Sequence, residues 1–479
     1  MRKLQWALLA SILPFANSAA AAPDTITNGP APTSAAPATV ASRADDIVIV
    51  PPQDHRRSDT RAAKVVYLNR CIGGCAIKTD GNKAQTNSST IPKMAGTLTE
   101  FDFGDAAWNT VVACVRDLYA PYGVQITDTA PDDATAHVEV MVAGKPAQLG
   151  LKNDTLGIAP LTSDCSPQRN VLAFAFAGAH QANNLPDLCF TVAHEAGHVY
   201  GLDHAFECRD PMTYLTGCGQ KHFLNLDLPC GEFVLPTKAC KCSLKQNSHE
   251  KLTQALDVGT LPSGPIVDII VPSIGANVAS GFVVTSKIAE PRWLSRVELW
   301  INGWPYAASR PGASAAPVVL TPPRTLPDGI LDLEIRAYDD LGTLGTDTLT
   351  VTKGVSCINQ TMCAADQICD AGRCRYLPPE GQLGDTCDNN DQCVDHLCVG
   401  TGDVSTCSKI CVVGRTDQCG DLACVASADG YGVCTTVAAS ESGGCCDAGT
   451  DSSSGPLLLG LLTLGLLATR RSQRLVTNN

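Results

Sequence analysis

Eleven consecutive residues hold three of the chain's nine histidines: His194-Glu195-Ala196-Gly197-His198-Val199-Tyr200-Gly201-Leu202-Asp203-His204. On an α-helix, residues four apart lie one turn above each other, so His194 and His198 can offer imidazoles to one ion with Glu195 beside them. His204 cannot share that face. The helix must therefore stop, and Gly201 permits the left-handed or tight turn that swings His204 back. Three neutral imidazoles and a water make the open tetrahedral set expected of catalytic zinc, which lowers the pKa of its water to about 7. Glu195 can then take the proton as the water attacks a carbonyl, and pass it to the leaving amine.

These residues need a scaffold on both sides. Upstream, Lys64–Asn69 is predicted as a strand, and Ala106–Tyr119, apolar at Trp108, Val111, Val112, Val115 and Leu118, as an amphipathic helix capped by Asp105. Strands are expected at His137–Val142 and Val171–Phe176 before the histidine helix. After it, Ser248–Leu256 has Asn247 as N-cap and Glu250 three residues on. Together these elements define an α+β domain over 64–260.

The spacing HExxHxxGxxH resembles the motif of the metzincin superfamily of zinc endopeptidases. The resemblance implies a Met-turn downstream, and Asp210-Pro211-Met212-Thr213-Tyr214 supplies one in a chain with only five methionines. It implies that Met212 floors the site without coordinating, that His194, His198 and His204 are the metal ligands, and that Glu195 is catalytic. Tyr214 matches the position of a tyrosine that approaches zinc in the astacin-like and serralysin-like branches, so the resemblance implies a catalytic role for it too, with a plain packing tyrosine as the alternative. Ala205, directly after the third ligand, departs from the common choices and leaves the branch open. Cys208 and Cys218 flank the Met-turn, and a bridge between them is expected to fix it. No cysteine switch precedes the domain, and Cys71 and Cys75 are expected in disulfides. His137, His180, His222 and His249 lack a paired motif and are assigned structural or solvent-exposed positions.

Beyond 260 the texture changes. Residues 265–353 lack cysteine and alternate short strand-like runs (Val267–Val271, Gly281–Thr285, Arg296–Ile301, Ile330–Ile335, Asp347–Val351) with turn residues, predicting an antiparallel β-sandwich. In strand spacing it resembles bacterial Ig-like modules. Residues 357–434 then carry twelve cysteines in three groups of four, an even count per group that favours closed disulfides over a metal knuckle. The chain is thus multidomain: a metzincin-like α+β domain, an Ig-like β-sandwich and disulfide-rich repeats.

Both ends are addresses. Residues 1–22 have a basic start, an apolar run and a small-residue stretch, the pattern of an export signal, which accords with 24 cysteines. Residues 23–63, rich in Ala, Pro, Thr and Ser, are assigned as a linker or short propeptide, which leaves no room for a long prodomain. Residues 442–479 contain Cys445-Cys446, an apolar run from Pro456 to Ala468 and an Arg cluster, and resemble the C-terminal sorting tails of myxobacterial surface proteins. The expected location is therefore secreted or at the cell surface, with membrane attachment through a tail that is processed; a short permanent anchor is the alternative.

A net charge of −13 argues against a nucleic-acid partner, whose phosphates call for clustered Lys and Arg. Protein or peptide substrates are expected instead. Calcium is a second candidate cofactor because loops such as Asp388–Asp391 are acidic, though no EF-hand spacing occurs. The competing function is a surface adhesin with a secondary or inactive protease-like domain; the retained Glu195 favours the enzyme.

Overall fold

The computed structural model describes residues 47–53, 62–232, 238–289, 292–312, 316–401, 404–413, 415, 417–427 and 431–436, with short strands at 26–27 and 39–40. The segments read as export signal and sorting tail, the latter with Cys445 and Cys446, and most of the segment assigned as linker lie outside the described residues. The architecture is multidomain, β-rich and poor in helices, with a disulfide-rich C-terminal region. No helix among the described residues is long and apolar enough to cross a membrane.

The first domain is built on a six-stranded sheet of β1 (Ile47–Val50), β2 (Val65–Asn69), β3 (Gln125–Thr127), β4 (Val138–Val142), β5 (Gly157–Thr162) and β6 (Val171–Ala175), in the order β1-β5-β6-β4-β2-β3. Strands β6, β4, β2 and β3 run parallel; β5 is antiparallel to β6 and β1 is parallel to β5. β4, β5 and β6 are buried at every residue, as strands covered on both faces must be. On one face Val66, Leu68, Val138, Val140 and Ala173 meet helices α1 (Asp105–Tyr119) and α2 (Leu185–Val199). On the other, Met141, Ile158, Leu172 and Phe174 pack under Ile77, Leu98 and Leu149. The Cys114–Cys189 disulfide ties α1 to α2.

Several local expectations are revised. Asp105 does not cap α1: Gly104, with φ of 83°, makes the entry, and the Asp105 carboxylate instead accepts from Arg70 Nη1 at 2.6 Å. β1 lies inside the segment assigned as linker. β5 escaped prediction because Gly157 and Pro160, residue types depleted in strands, interrupt its pattern. By contrast α3 (Ser248–Leu256) has the foreseen cap, with the Asn247 side chain accepting from the Glu250 N–H at 2.9 Å.

The second domain packs two sheets against each other. Strands β7 (Ile266–Val271), β8 (Val284–Ala289) and β11 (Val318–Leu320) form one sheet; β9 (Leu294–Ile301), β10 (Trp304–Ser309), β12 (Gly329–Asp339) and β13 (Leu344–Lys353) form the centre of the other. Ile269, Val284, Val297, Leu299, Leu333 and Ile335 meet between them. The strand expected at Gly281–Thr285 starts later, at Val284, because Gly281 takes a φ of 82° in the turn before it.

The sandwich is joined to the first domain by a buried ion pair. Arg292 donates from Nε and Nη2 to the two carboxylate oxygens of Asp340, each at 2.8 Å, and from Nη2 to the Phe223 carbonyl at 2.9 Å. Asp340 also accepts from the Asn225 backbone N–H at 2.8 Å, so neither charge is left unsolvated.

The three cysteine units share one pairing, first with third and second with fourth: Cys357–Cys369 with Cys363–Cys374, Cys387–Cys398 with Cys393–Cys407, and Cys411–Cys424 with Cys419–Cys434. The first unit is pinned to the sandwich by Arg373, which donates to Asp332 at 2.6 and 3.1 Å.

Candidate metal centre

Helix α2 opens with a Pro in its first turn, where the missing N–H costs nothing, and Asp187 beside it favours the positive end of the helix dipole. It ends at Val199, and Gly201 reverses the chain at φ of 91°. A Cβ on Gly201 would sit 2.1 Å from the Cys165 carbonyl oxygen, so both conformation and space require glycine.

The turn returns His204 to the helix. One nitrogen from each of His194, His198 and His204 lies within 4.8 Å of the others, and all three rings are buried. His194 donates from Nδ1 to the Pro211 carbonyl at 2.9 Å, and His198 from Nδ1 to the Leu202 carbonyl at 2.7 Å. Carbonyl acceptors at Nδ1 fix the tautomer that turns an unprotonated Nε2 to the shared point. The donor set fits a divalent ion that favours imidazole.

His204 is held through its neighbours. Its N–H donates to the Asp203 carboxylate at 2.8 Å, the Gly231 N–H donates to its carbonyl at 3.0 Å, and Asp203 is clasped by Gln246 through two backbone contacts of 2.8 and 2.7 Å. Asp203 and Gln246 went unforeseen, because nothing in the spacing connects them. The disulfides Cys165–Cys242 and Cys230–Cys240 tie down the same loops, and Cys208–Cys218 brackets the Met-turn as expected. Cys71 pairs with Cys75.

Met212 is fully buried against α2. A Cβ on Gly197 would lie 2.7 Å from the Met212 sulfur, so the glycine inside the histidine motif makes room for the floor of the site. The Met-turn is held by Asp210, which accepts from the N–H groups of Met212 at 2.9 Å and Leu224 at 3.0 Å. Burial pushes the Asp210 carboxyl up to about 6, against the opposing pull of these hydrogen bonds. The Tyr214 ring centre lies 4.2 Å from that of His204 and 6.0 Å from that of His194.

Glu195 is buried at the start of β5. A Cβ on Gly157 would meet the Glu195 carboxylate at 2.2 Å, so this strand glycine, whose φ is unexceptional, serves close approach. Among the described residues, His249 bonds Tyr122 at 3.1 Å and His180 Nδ1 lies 3.0 Å from the Asp187 carboxylate, both apart from the triad. Burial lowers His222 and His249 to about 3 and keeps them neutral, in line with structural roles. A cavity of about 790 Å³ lies between the sandwich and the second and third cysteine units, lined by Arg296, Trp300, Tyr338 and His396, and includes no residue of the triad.

No family model matches the chain, and no curated protein does. Among solved structures, OgpA from Akkermansia muciniphila is similar at 11% identity over 66% of this chain and 98% of that one, with a TM-score of 0.16. OgpA in complex with an O-glycopeptide (glycodrosocin) substrate matches at 10% identity over 66% and 97%, TM-score 0.16. The fibronectin(III)-like modules of Clostridium thermocellum CbhA match at 15% identity over 18% of this chain and 94% of theirs, again with a TM-score of 0.16. Likenesses at these TM-scores define neither fold nor activity.

Proposed function

We propose that the chain is a zinc-dependent endopeptidase of the metzincin type, secreted or displayed at the cell surface, acting on protein or peptide substrates. The observation that carries this reading is the convergence of His194, His198 and His204 beside Glu195, over a methionine floor admitted by Gly197. The three histidines would hold the ion, which when bound supplies Lewis-acid polarisation of a carbonyl and of water. Glu195, buried and confined by Gly157, takes a proton from the attacking water and returns it to the leaving amine. Tyr214 offers a hydroxyl to the oxyanion side of the same centre. Eleven disulfides among the described residues accord with an oxidising, extracellular setting.

The test uses the full chain. Bound zinc is measured, and cleavage of casein is followed with and without chelator and in Glu195→Ala. We expect one zinc per chain, loss of cleavage on chelation, and a fall of at least about a hundredfold in Glu195→Ala with zinc retained. A folded, zinc-loaded chain that leaves casein intact, or a Glu195→Ala variant as fast as wild type, overturns the proposal.

A further inference from the structure

The three candidate ligands are not held alike. His194 and His198 belong to α2, and each ring is fixed at Nδ1 by a carbonyl. His204 follows the end of that helix, where the intrahelical ladder runs out of partners. The Leu202 N–H still reaches back to the Gly197 carbonyl at 3.0 Å, but from Asp203 onward the backbone is met from elsewhere. The Asp203 N–H donates to Gln246 Oε1, the His204 N–H to Asp203 Oδ1 and the Ala205 N–H to the Met212 carbonyl, each at 2.8 Å. Asp203 Oδ1 stays 3.8 Å from His204 Nδ1, too far for a hydrogen bond, so its short contact with the ligand is at the backbone.

Asp203 is itself gripped by the short segment Cys240–Gln246. Its carbonyl accepts from Gln246 Nε2 at 2.7 Å, which completes a two-bond amide clasp, and its Oδ2 accepts from the Lys241 N–H at 2.7 Å. Asp203 is 5% exposed and Gln246 2%, so a partner lost here is not replaced by bulk water. Lys241 stands between two bridged cysteines. Cys240 is joined to Cys230, whose neighbour Gly231 donates to the His204 carbonyl at 3.0 Å, and Cys242 is joined to Cys165. Cys165 in turn supplies the carbonyl that the bare Gly201 abuts. The turn from Gly201 to His204 is thus touched by Cys165 at its start and by Lys241 and Gln246 near its end, and one disulfide ties these contacts together.

We infer that Asp203 and Gln246 are positioning residues for His204, and that the Cys165–Cys242 bridge, by fixing the segment that grips Asp203, sets how tightly the site holds its ion. The inference rests on the metal-ligand part of the endopeptidase reading above. A ligand ordered when the chain folds does not lose that freedom again when the ion binds, whereas a loose one does.

The test is metal binding by the full chain, read without proteolysis. Zinc affinity is measured by competition with a chromogenic chelator, and the visible absorption of the cobalt(II)-loaded protein reports coordination geometry. Asp203→Ala and Gln246→Ala are each expected to weaken zinc binding about 10- to 100-fold and to change the cobalt spectrum. Asp203→Asn keeps the acceptor for the His204 N–H and is expected to restore part of the loss. Leu98→Ala, which empties core on the sheet face opposite α2, lowers Tm and is expected to leave affinity and spectrum as in wild type. Cys165→Ser combined with Cys242→Ser is expected to weaken zinc binding with Asp203, Gln246 and the histidines all in place, and it decides the matter should the alanine variants not fold. Wild-type affinity and spectrum in these variants overturn the inference and leave the endopeptidase intact; so does a loss that Leu98→Ala reproduces. A folded wild-type chain that takes up neither ion overturns the endopeptidase reading and the inference together.

Discussion

At the scale of single residues, the site depends on what is missing as much as on what is present. Gly157 has no conformational need to be glycine, yet a methyl there would overlap three atoms of Glu195. Gly157→Ala is expected to displace the carboxylate, lowering kcat at least tenfold while zinc content and KM stay near wild type; loss of zinc would show that the strand supports the ligands instead. The histidines, Glu195 and Gly201 were legible because helical periodicity and one turn set their mutual positions within a short stretch, whereas Met212 and Tyr214 were expected from the resemblance alone. Gly157, Asp203 and Gln246 were not legible as a group, since they reach the site from β5, the ligand turn and a loop that only the fold brings together.

At the scale of elements, the sheet carries a titratable group unrelated to the site. Glu139 on β4 is buried, and burial pushes its carboxyl up to about 7 although the Asn69 amide donates to it at 2.7 Å. Its folded pKa exceeds the unfolded value, so the folded state keeps the proton longer. The associated stability is complete below about pH 4.5 and is lost as the pH rises through about 7. Glu139→Gln, which keeps the acceptor for Asn69, is expected to flatten this dependence. Between pH 5 and 8 the wild type should lose up to about 3 kcal/mol relative to the variant, measured by urea unfolding. Parallel slopes would contradict it. Long amphipathic elements such as α1 and α3 could be placed from their periodicity. β1 and β5 could not, because one is four residues before a Pro pair and the other contains Gly157 and Pro160, so pairing rather than propensity makes them strands.

At the scale of the molecule, the sandwich is more than a spacer. The Arg292–Asp340 pair reaches Phe223 and Asn225, and the neighbouring Leu224 N–H is a donor to Asp210 under the Met-turn. The Met212 loop and the sandwich thus share one hydrogen-bonded seam. Asp340→Ala removes both short carboxylate bonds of the buried Arg292, leaving it the Phe223 carbonyl and the Asp339 carboxylate at 3.9 Å, and is expected to lower Tm clearly. A fragment ending at 260 lacks both groups and should melt well below the full chain; equal melting temperatures would dissolve the seam as a stabilising feature. Sequence alone could separate the modules by cysteine content and strand spacing, but not reveal this seam, because Arg292 and Asp340 are 48 positions apart and look like ordinary surface charges.

The cysteine pairing bears on how the chain is made. Each bridge of the three C-terminal units closes between residues 11 to 15 apart, and none joins one unit to the next. In an oxidising setting a unit can close as soon as its fourth cysteine is available, with no need to await later sequence. The staggered pairing also means that a single nick inside a unit's overlapping loops leaves both halves covalently linked. Vectorial maturation and tolerance of proteolytic damage therefore come from one local rule repeated three times.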